Sequence, residues 1–147
     1  MIGNLLLSTT LVCSTVVVHF LGLLLLLRIL RYRARHFFRH ESTLLQGALI
    51  LFVVLGIVVI HTVEIWLYAV TYLLIGALDD LGSALYFSTV TFASLGYGDI
   101  TLSKSWRLFG SIEAANGLIL FAWSTAFLFS VTSRLRTLEH DWLERKE

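Results

Sequence analysis

The stretch ALYFSTVTFASLGYGDI, Ala84 to Ile100, decides the fold. It lies between two long apolar runs, one from Leu44 to about Leu78 and one from about Trp106 to Val131. Each run, as a helix rising ~1.5 Å per residue, crosses a hydrocarbon core of ~30 Å. The piece between them, Gly82 to Ser105, is too short and too polar to cross separately. Arginines precede the first run, and Arg134 and Arg136 follow the second. Such basic flanks stay on the cytoplasmic side. The first run therefore ends outside, at Asp79 and Asp80, and the second begins outside. The piece between must leave and return on the same face. A re-entrant loop does this, with protein rather than lipid around its irregular backbone.

A third apolar run lies upstream. Leu5 to Leu27 is 23 residues without a formal charge, enough for one crossing. A cleaved signal peptide would need a basic start and a small-residue cleavage site. Met1 to Asn4 has no Lys or Arg and the run ends in arginines, which favours a retained helix with its N-terminus outside. RILRYRARHFFRHE, Arg28 to Glu41, follows and holds five of the eleven basic side chains. Beside a membrane helix, Arg28, Arg31, Arg33, Arg35 and Arg39 suit anionic lipid headgroups rather than nucleic acid. Ser42 or Thr43 is a plausible N-cap for the next helix.

Composition agrees. Of 147 residues, 57% are hydrophobic and 14% charged, with no Pro and a net charge of +1. A soluble domain carries about a quarter charged residues, so a water-soluble globule and a disordered chain are both excluded. One cysteine, Cys13, leaves no internal disulfide and no thiolate cluster. No metal-ligand spacing and no nucleophile–base pair stands out, so an enzyme is not expected. Cys13 and His19 read as packed or interfacial residues of the first helix.

The loop resembles the pore loop of the tetrameric potassium-channel superfamily. There a short pore helix precedes a filter of the form Thr-Val-Gly-Tyr-Gly-Asp, and here Ser94-Leu95-Gly96-Tyr97-Gly98-Asp99 stand in its place. The resemblance covers the second helix, the loop and the last helix. The flanks HTVEIWLYA and WRLFGSIEAANGLILFAWSTA resemble those of small bacterial channels of the ion-channel or two-pore-domain-like type. It implies a homotetramer in the plasma membrane that conducts K+ passively, with K+ at the filter carbonyls and no cofactor. A weakly selective cation channel and a non-conducting, pore-like regulatory subunit are the alternatives.

The chemistry behind such a loop is general. A dehydrating cation needs replacement oxygens, and rings of backbone carbonyls supply them. Successive carbonyls face one axis only if alternate residues take positive φ, which Gly96 and Gly98 do at little cost. One chain supplies one such strand, so the chain must oligomerise around an axis. Ser94 keeps the hydroxyl of the usual Thr but not its methyl, and Leu95 replaces Val. Tyr97 is expected to brace the strand against the pore helix. G-x-G alone is weak; a nucleotide loop would need a soluble strand-to-helix context, which is absent.

Other residues have open roles. Asp99 closes the motif, with Tyr86 or Trp106 as its donor or solvent around it, and Thr91 supports the filter from the pore helix. The pore-helix acid that some relatives carry is Val90 here. Asp79, Asp80 and Asp99, repeated by symmetry, would concentrate cations outside. His61 and Glu64, one turn apart, form a pH-sensitive pair or a structural contact near the outer interface. Trp66, Tyr68 and Tyr72 then look like an interfacial belt. Glu113 and Asn116, at i and i+3, form a polar bracket against the pore helix or line the cavity. Gly117 is a bending point or a site of close helix packing. Leu118, Phe121, Thr125 and Phe129 form one candidate pore-facing stripe; Ile119, Ala122, Ala126 and Ser130 form the other. Phe121 or Phe129 would gate by dewetting in the first.

The expected architecture is an all-α membrane protein. Each subunit has three transmembrane helices plus a re-entrant pore helix and selectivity-filter loop, around a homotetrameric pore. The expected bounds are an extra N-terminal helix (1–27), a basic cytoplasmic linker (28–43), a pore domain (44–133) and a cytoplasmic tail (134–147). Within the pore domain the outer helix takes 44–78, the pore helix and filter 82–100, and the inner helix 106–133. The tail places Leu135, Leu138 and Trp142 near one helical face.

Overall fold

The computed structural model describes residues 2–37 and 43–144, with side chains over 2–32, 44 and 46–134. The side chains of Arg33, Arg35, Leu135, Leu138 and Trp142, and all of Arg39 and Ser42, lie outside the described residues. Four helices follow one another: α1 (Ile2–Phe37), α2 (Thr43–Leu74), α3 (Leu81–Phe92) and α4 (Arg107–Glu144). No strand occurs among the described residues. Within α1, α2 and α4, the spans Ile2–Tyr32, Gln46–Leu74 and Arg107–Arg134 are long and apolar enough to cross a membrane. At 12 residues, α3 is about 18 Å long and cannot. It packs between α2 and α4, and α1 packs against the same two helices.

Helix ends depart from the sequence expectation in three places. The first helix runs on to Phe37 rather than stopping at 27. RILRYRAR contains no Gly or Pro, so its charges leave the membrane without breaking the backbone. For the same reason α4 continues through the expected tail to Glu144. The outer helix, conversely, ends at Leu74 rather than 78. Gly76 takes φ 63 there. Its N–H donates to the Leu73 carbonyl at 3.1 Å, and the Ala77 N–H donates to the Tyr72 carbonyl at 2.9 Å. That pair of bonds around a left-handed glycine is a Schellman stop. Asp80 then caps α3, accepting from the Ser83 N–H at 2.9 Å.

Two clusters hold the bundle. One gathers Tyr68, Tyr72, Phe92, Leu102, Phe109 and Leu120 around α3. Within it Tyr72 meets Phe109 and Phe87 edge-on, each at 5.2 Å. The other, formed by α1, α2 and α4, gathers Leu23, Leu26, Val53, Ile57, Ile60 and Val131. Lipid tails are as apolar as leucine, so such packing must act through close fit. Gly22 of α1 lies under Ile60, and Gly56 of α2 lies under Leu26. On the exposed face of α1, the hydroxyls of Thr9, Thr10 and Ser14 donate one turn back, to the carbonyls of Leu5, Leu6 and Thr10. Each of these three hydroxyl hydrogens is thereby satisfied within the helix.

Candidate functional site

The loop after α3 is built from the helix end outward. Ala93 is the last cap of α3, and Ser94 follows with φ 58. The Ser94 N–H donates to the Thr91 carbonyl at 2.8 Å, and the Leu95 N–H donates to the Val90 carbonyl at 2.9 Å. This is the same Schellman geometry that ends α2, now with serine where glycine is usual. A β-branched threonine would fit that φ worse than serine does. The stop of the pore helix thus sets the first left-handed residue of the loop. Gly96 and Gly98 follow with φ 57 and 79. Positions 94, 96 and 98 alternate with Leu95 and Tyr97, which do not share this conformation. Such alternation turns successive carbonyls toward one side.

The loop is anchored at both ends. At the inner end the Ser94 hydroxyl lies 3.3 Å from the Ala114 carbonyl of α4. At the outer end the Tyr86 hydroxyl donates to Asp99 Oδ2 at 2.6 Å. That bond chiefly holds the Asp99 carboxyl below its usual range. The Ser83 hydrogen bonds do the same for Asp80. Both stay ionised well into acid. Trp106 is not the donor to Asp99; its ring stacks edge-on against Phe109. Tyr97 is 67% exposed and Leu95 56%, so the chain itself does not brace either side chain. Tyr86, Thr91, Gly96, Tyr97 and Gly98 are among the residues that line an open cavity of about 350 Å³.

Behind the loop, Glu113 of α4 is buried and bridges two helices. Ser88 of α3 donates to its Oε1 and Tyr72 of α2 to its Oε2, each at 2.5 Å. Glu113 therefore meets α3 of the same chain. Asn116 does not: its Nδ2 donates to Thr15 of α1 at 2.8 Å and to the Tyr68 hydroxyl at 3.1 Å. The two residues share a face but hold different neighbours. Tyr68 and Tyr72 are wholly buried with inward hydroxyls, so they are not an interfacial belt; Trp66 alone of the three is exposed. The reason is that α3, α4 and their polar groups cover that side of α2.

Gly117 sits where α4 crosses the end of α3. A Cβ there would stand 2.1 Å from the Phe92 carbonyl oxygen, so close packing occupies this position. Both candidate stripes of α4 are exposed: Leu118, Phe121, Thr125 and Phe129, and also Ile119, Ala122, Ala126 and Ser130. Phe121 is partly engaged, stacked on His61 at 4.4 Å and on Phe92 at 5.7 Å.

His61 and Glu64 lie near the middle of the α2 span rather than near its outer edge, and two further residues join them. Glu64 Oε2 meets His61 Nδ1 at 2.8 Å, and Oε1 meets His19 Nδ1 of α1 at 2.9 Å. Ser124 Oγ of α4 closes the ring, 3.0 Å from His61 Nε2 and 3.4 Å from His19 Nε2. All four are buried. His19 is thus more than a packed residue, whereas Cys13 is exposed. The signal for His19 and Ser124 was depth. Counted from Ile2, Leu74 and Arg107, His19, His61 and Ser124 lie ~20–26 Å along their helices.

The arrangement is a short helix with a capped start, a loop of alternating left-handed residues, and two long helices holding both. Residues 48–134, more than half of the chain, match the family described as Ion channel. No curated protein and no solved structure matches the chain. By that match and this geometry, the chain belongs to the ion channel family of two-transmembrane potassium-channel type.

Proposed function

We propose that the protein is a potassium-selective channel assembled as a homotetramer around residues 94–98. The observation that carries this reading is the alternation of left-handed φ at Ser94, Gly96 and Gly98. Four copies of such a strand supply stacked cages of carbonyl oxygen. K+ sheds its water into them and moves in single file, each ion displacing the next. The exposed Leu95 and Tyr97 side chains then pack against neighbouring subunits, and the exposed faces of α4 divide between cavity and subunit contact. Asp80 and Asp99, kept ionised by their donors, raise the cation concentration at the outer mouth. Arg28 and Arg31 stand where α1 leaves its apolar span, suited to anionic headgroups on the cytoplasmic side of the plasma membrane. The N-terminus is outside on this reading. In support, the Asn4 side chain donates to the Ser105 carbonyl at 2.5 Å, beside the loop that follows Asp99.

The test is ion flux and reversal potential for purified protein in planar bilayers, with K+ and Na+ on opposite sides. The expected reversal potential follows the K+ gradient, and substitution of Gly96 by Ala abolishes the current. Equal permeation of Na+ would make the pore a weakly selective cation channel. Absence of any current that filter mutation removes would make it a non-conducting subunit.

A further inference from the structure

The ring of His19, Glu64, His61 and Ser124 has a hydrogen deficit. Four polar contacts close it. With the carboxylate ionised and both imidazoles neutral, the groups hold three hydrogens between them. One contact then faces lone pair to lone pair, and the cluster carries a net negative charge inside the apolar span. Both defects are costly where no water reaches. A bound cation removes the lone-pair conflict, and a divalent ion that brings hydroxide as its fourth ligand leaves the cluster neutral.

We propose that His19, His61 and Glu64 form a binding site for a borderline divalent transition-metal ion of the Zn2+ class. Two imidazole nitrogens and a carboxylate oxygen are ligands such an ion takes. One ligand atom from each residue lies within 4.8 Å of the others. Metal–nitrogen and metal–oxygen bonds of ~2.0–2.2 Å place tetrahedral ligands about 3.3 Å apart. The two carboxylate–imidazole separations are 2.9 and 2.8 Å, so admitting an ion opens each by about half an ångström. With Nδ1 on the metal side, each ring carries its proton on Nε2. Ser124 Oγ has two lone pairs and faces both Nε2 atoms. It is then the outer partner that fixes tautomer and ring orientation, a role that metal-bound histidines nearly always require. The three ligands come from α1 and α2, and their outer partner from α4, so an ion would tie the extra helix to the pore helices. Hard ions such as Mg2+ prefer all-oxygen shells and are not expected to bind.

The test uses the full-length protein in detergent, stripped with a chelator and then titrated with Zn2+ or Mg2+. The readouts are metal retained after desalting and the melting temperature. The expected result is one Zn2+ per chain, a raised melting temperature, and no effect of Mg2+. His19→Ala and His61→Ala should lose the ion, and Ser124→Ala should bind it about 10–100-fold more weakly. Should the variants fail to fold, Co2+ on the wild-type protein should give the visible absorption of a tetrahedral nitrogen–oxygen site. The proposal is overturned if the wild type retains no ion and shows no Co2+ spectrum. It is equally overturned if both histidine variants keep the ion, which would place it on other histidines. A melting temperature that follows pH but not Zn2+ would make the occupant a proton instead.

Discussion

Replacing Gly117 by alanine puts a methyl carbon 2.1 Å from the Phe92 carbonyl oxygen and 2.9 Å from its carbonyl carbon. Carbon–oxygen contacts settle no closer than about 3.3 Å, so α4 and the end of α3 must part by about 1.2 Å. The obstacle is backbone, not a swinging side chain. Overpacking of this kind costs about 1–3 kcal/mol, a factor of about 5 to 150 in the folded-to-unfolded ratio. The displaced carbonyl lies two residues before Ser94, so the strain reaches the filter. The expected outcome is a lower melting temperature together with a reversal potential shifted away from that of K+. Gly110→Ala is the comparison, because its nearest neighbour is the flexible Leu102 side chain at 3.1 Å. A bending role for Gly117 predicts something else: altered open probability with stability and selectivity intact. If Gly117→Ala matches the wild type in melting temperature and reversal potential, the close crossing of α3 and α4 is refuted.

Three further outcomes are expected. Ser94→Gly should melt higher than Ser94→Ala, because both lose the hydroxyl but only glycine is relieved of a left-handed φ worth about 1–2 kcal/mol; equal melting would refute that backbone. In Tyr86→Phe, Asp99 loses the donor that depresses its carboxyl. A depressed carboxyl contributes stability above its usual value and loses it as pH falls through the depressed one, so the acid limit of conductance should move to higher pH, as read from current against external pH. Glu113→Ala removes the acceptor of both Ser88 and Tyr72 and should lower the melting temperature by an amount worth about 2–5 kcal/mol; an unchanged melt would mean that the bracket does not hold α3.

What could be read from the residues was whatever is local or periodic. The three crossings follow from hydropathy, and the re-entrant loop follows from the charge at the run ends. The alternation of glycines at 96 and 98 announces the unusual backbone. The extension of that backbone to Ser94 was hidden, because it comes from a local helix stop that usually carries glycine and here carries serine. Tyr68 and Tyr72 read as interfacial because hydropathy ranks tyrosine by its hydroxyl. Their partners, Asn116 and Glu113, are more than forty positions away in the chain. His19 had no partner within its own segment, and its contact with Glu64 spans 45 positions. The ends of α1 and α4 were missed because charge ends a membrane crossing without ending a helix.

The bond from Asn116 to Thr15 and the contact of Glu64 with His19 have a consequence for biogenesis. A pore cut down to α2, α3 and α4 would present a carboxylate, an imidazole and an amide to acyl chains. Translation delivers α1 to the bilayer first, so the shelter for these groups is already in place when α2 emerges from the ribosome. α1 therefore shelters polar groups of the helices that follow it, and a chain lacking it should insert poorly and be retained by the insertion machinery.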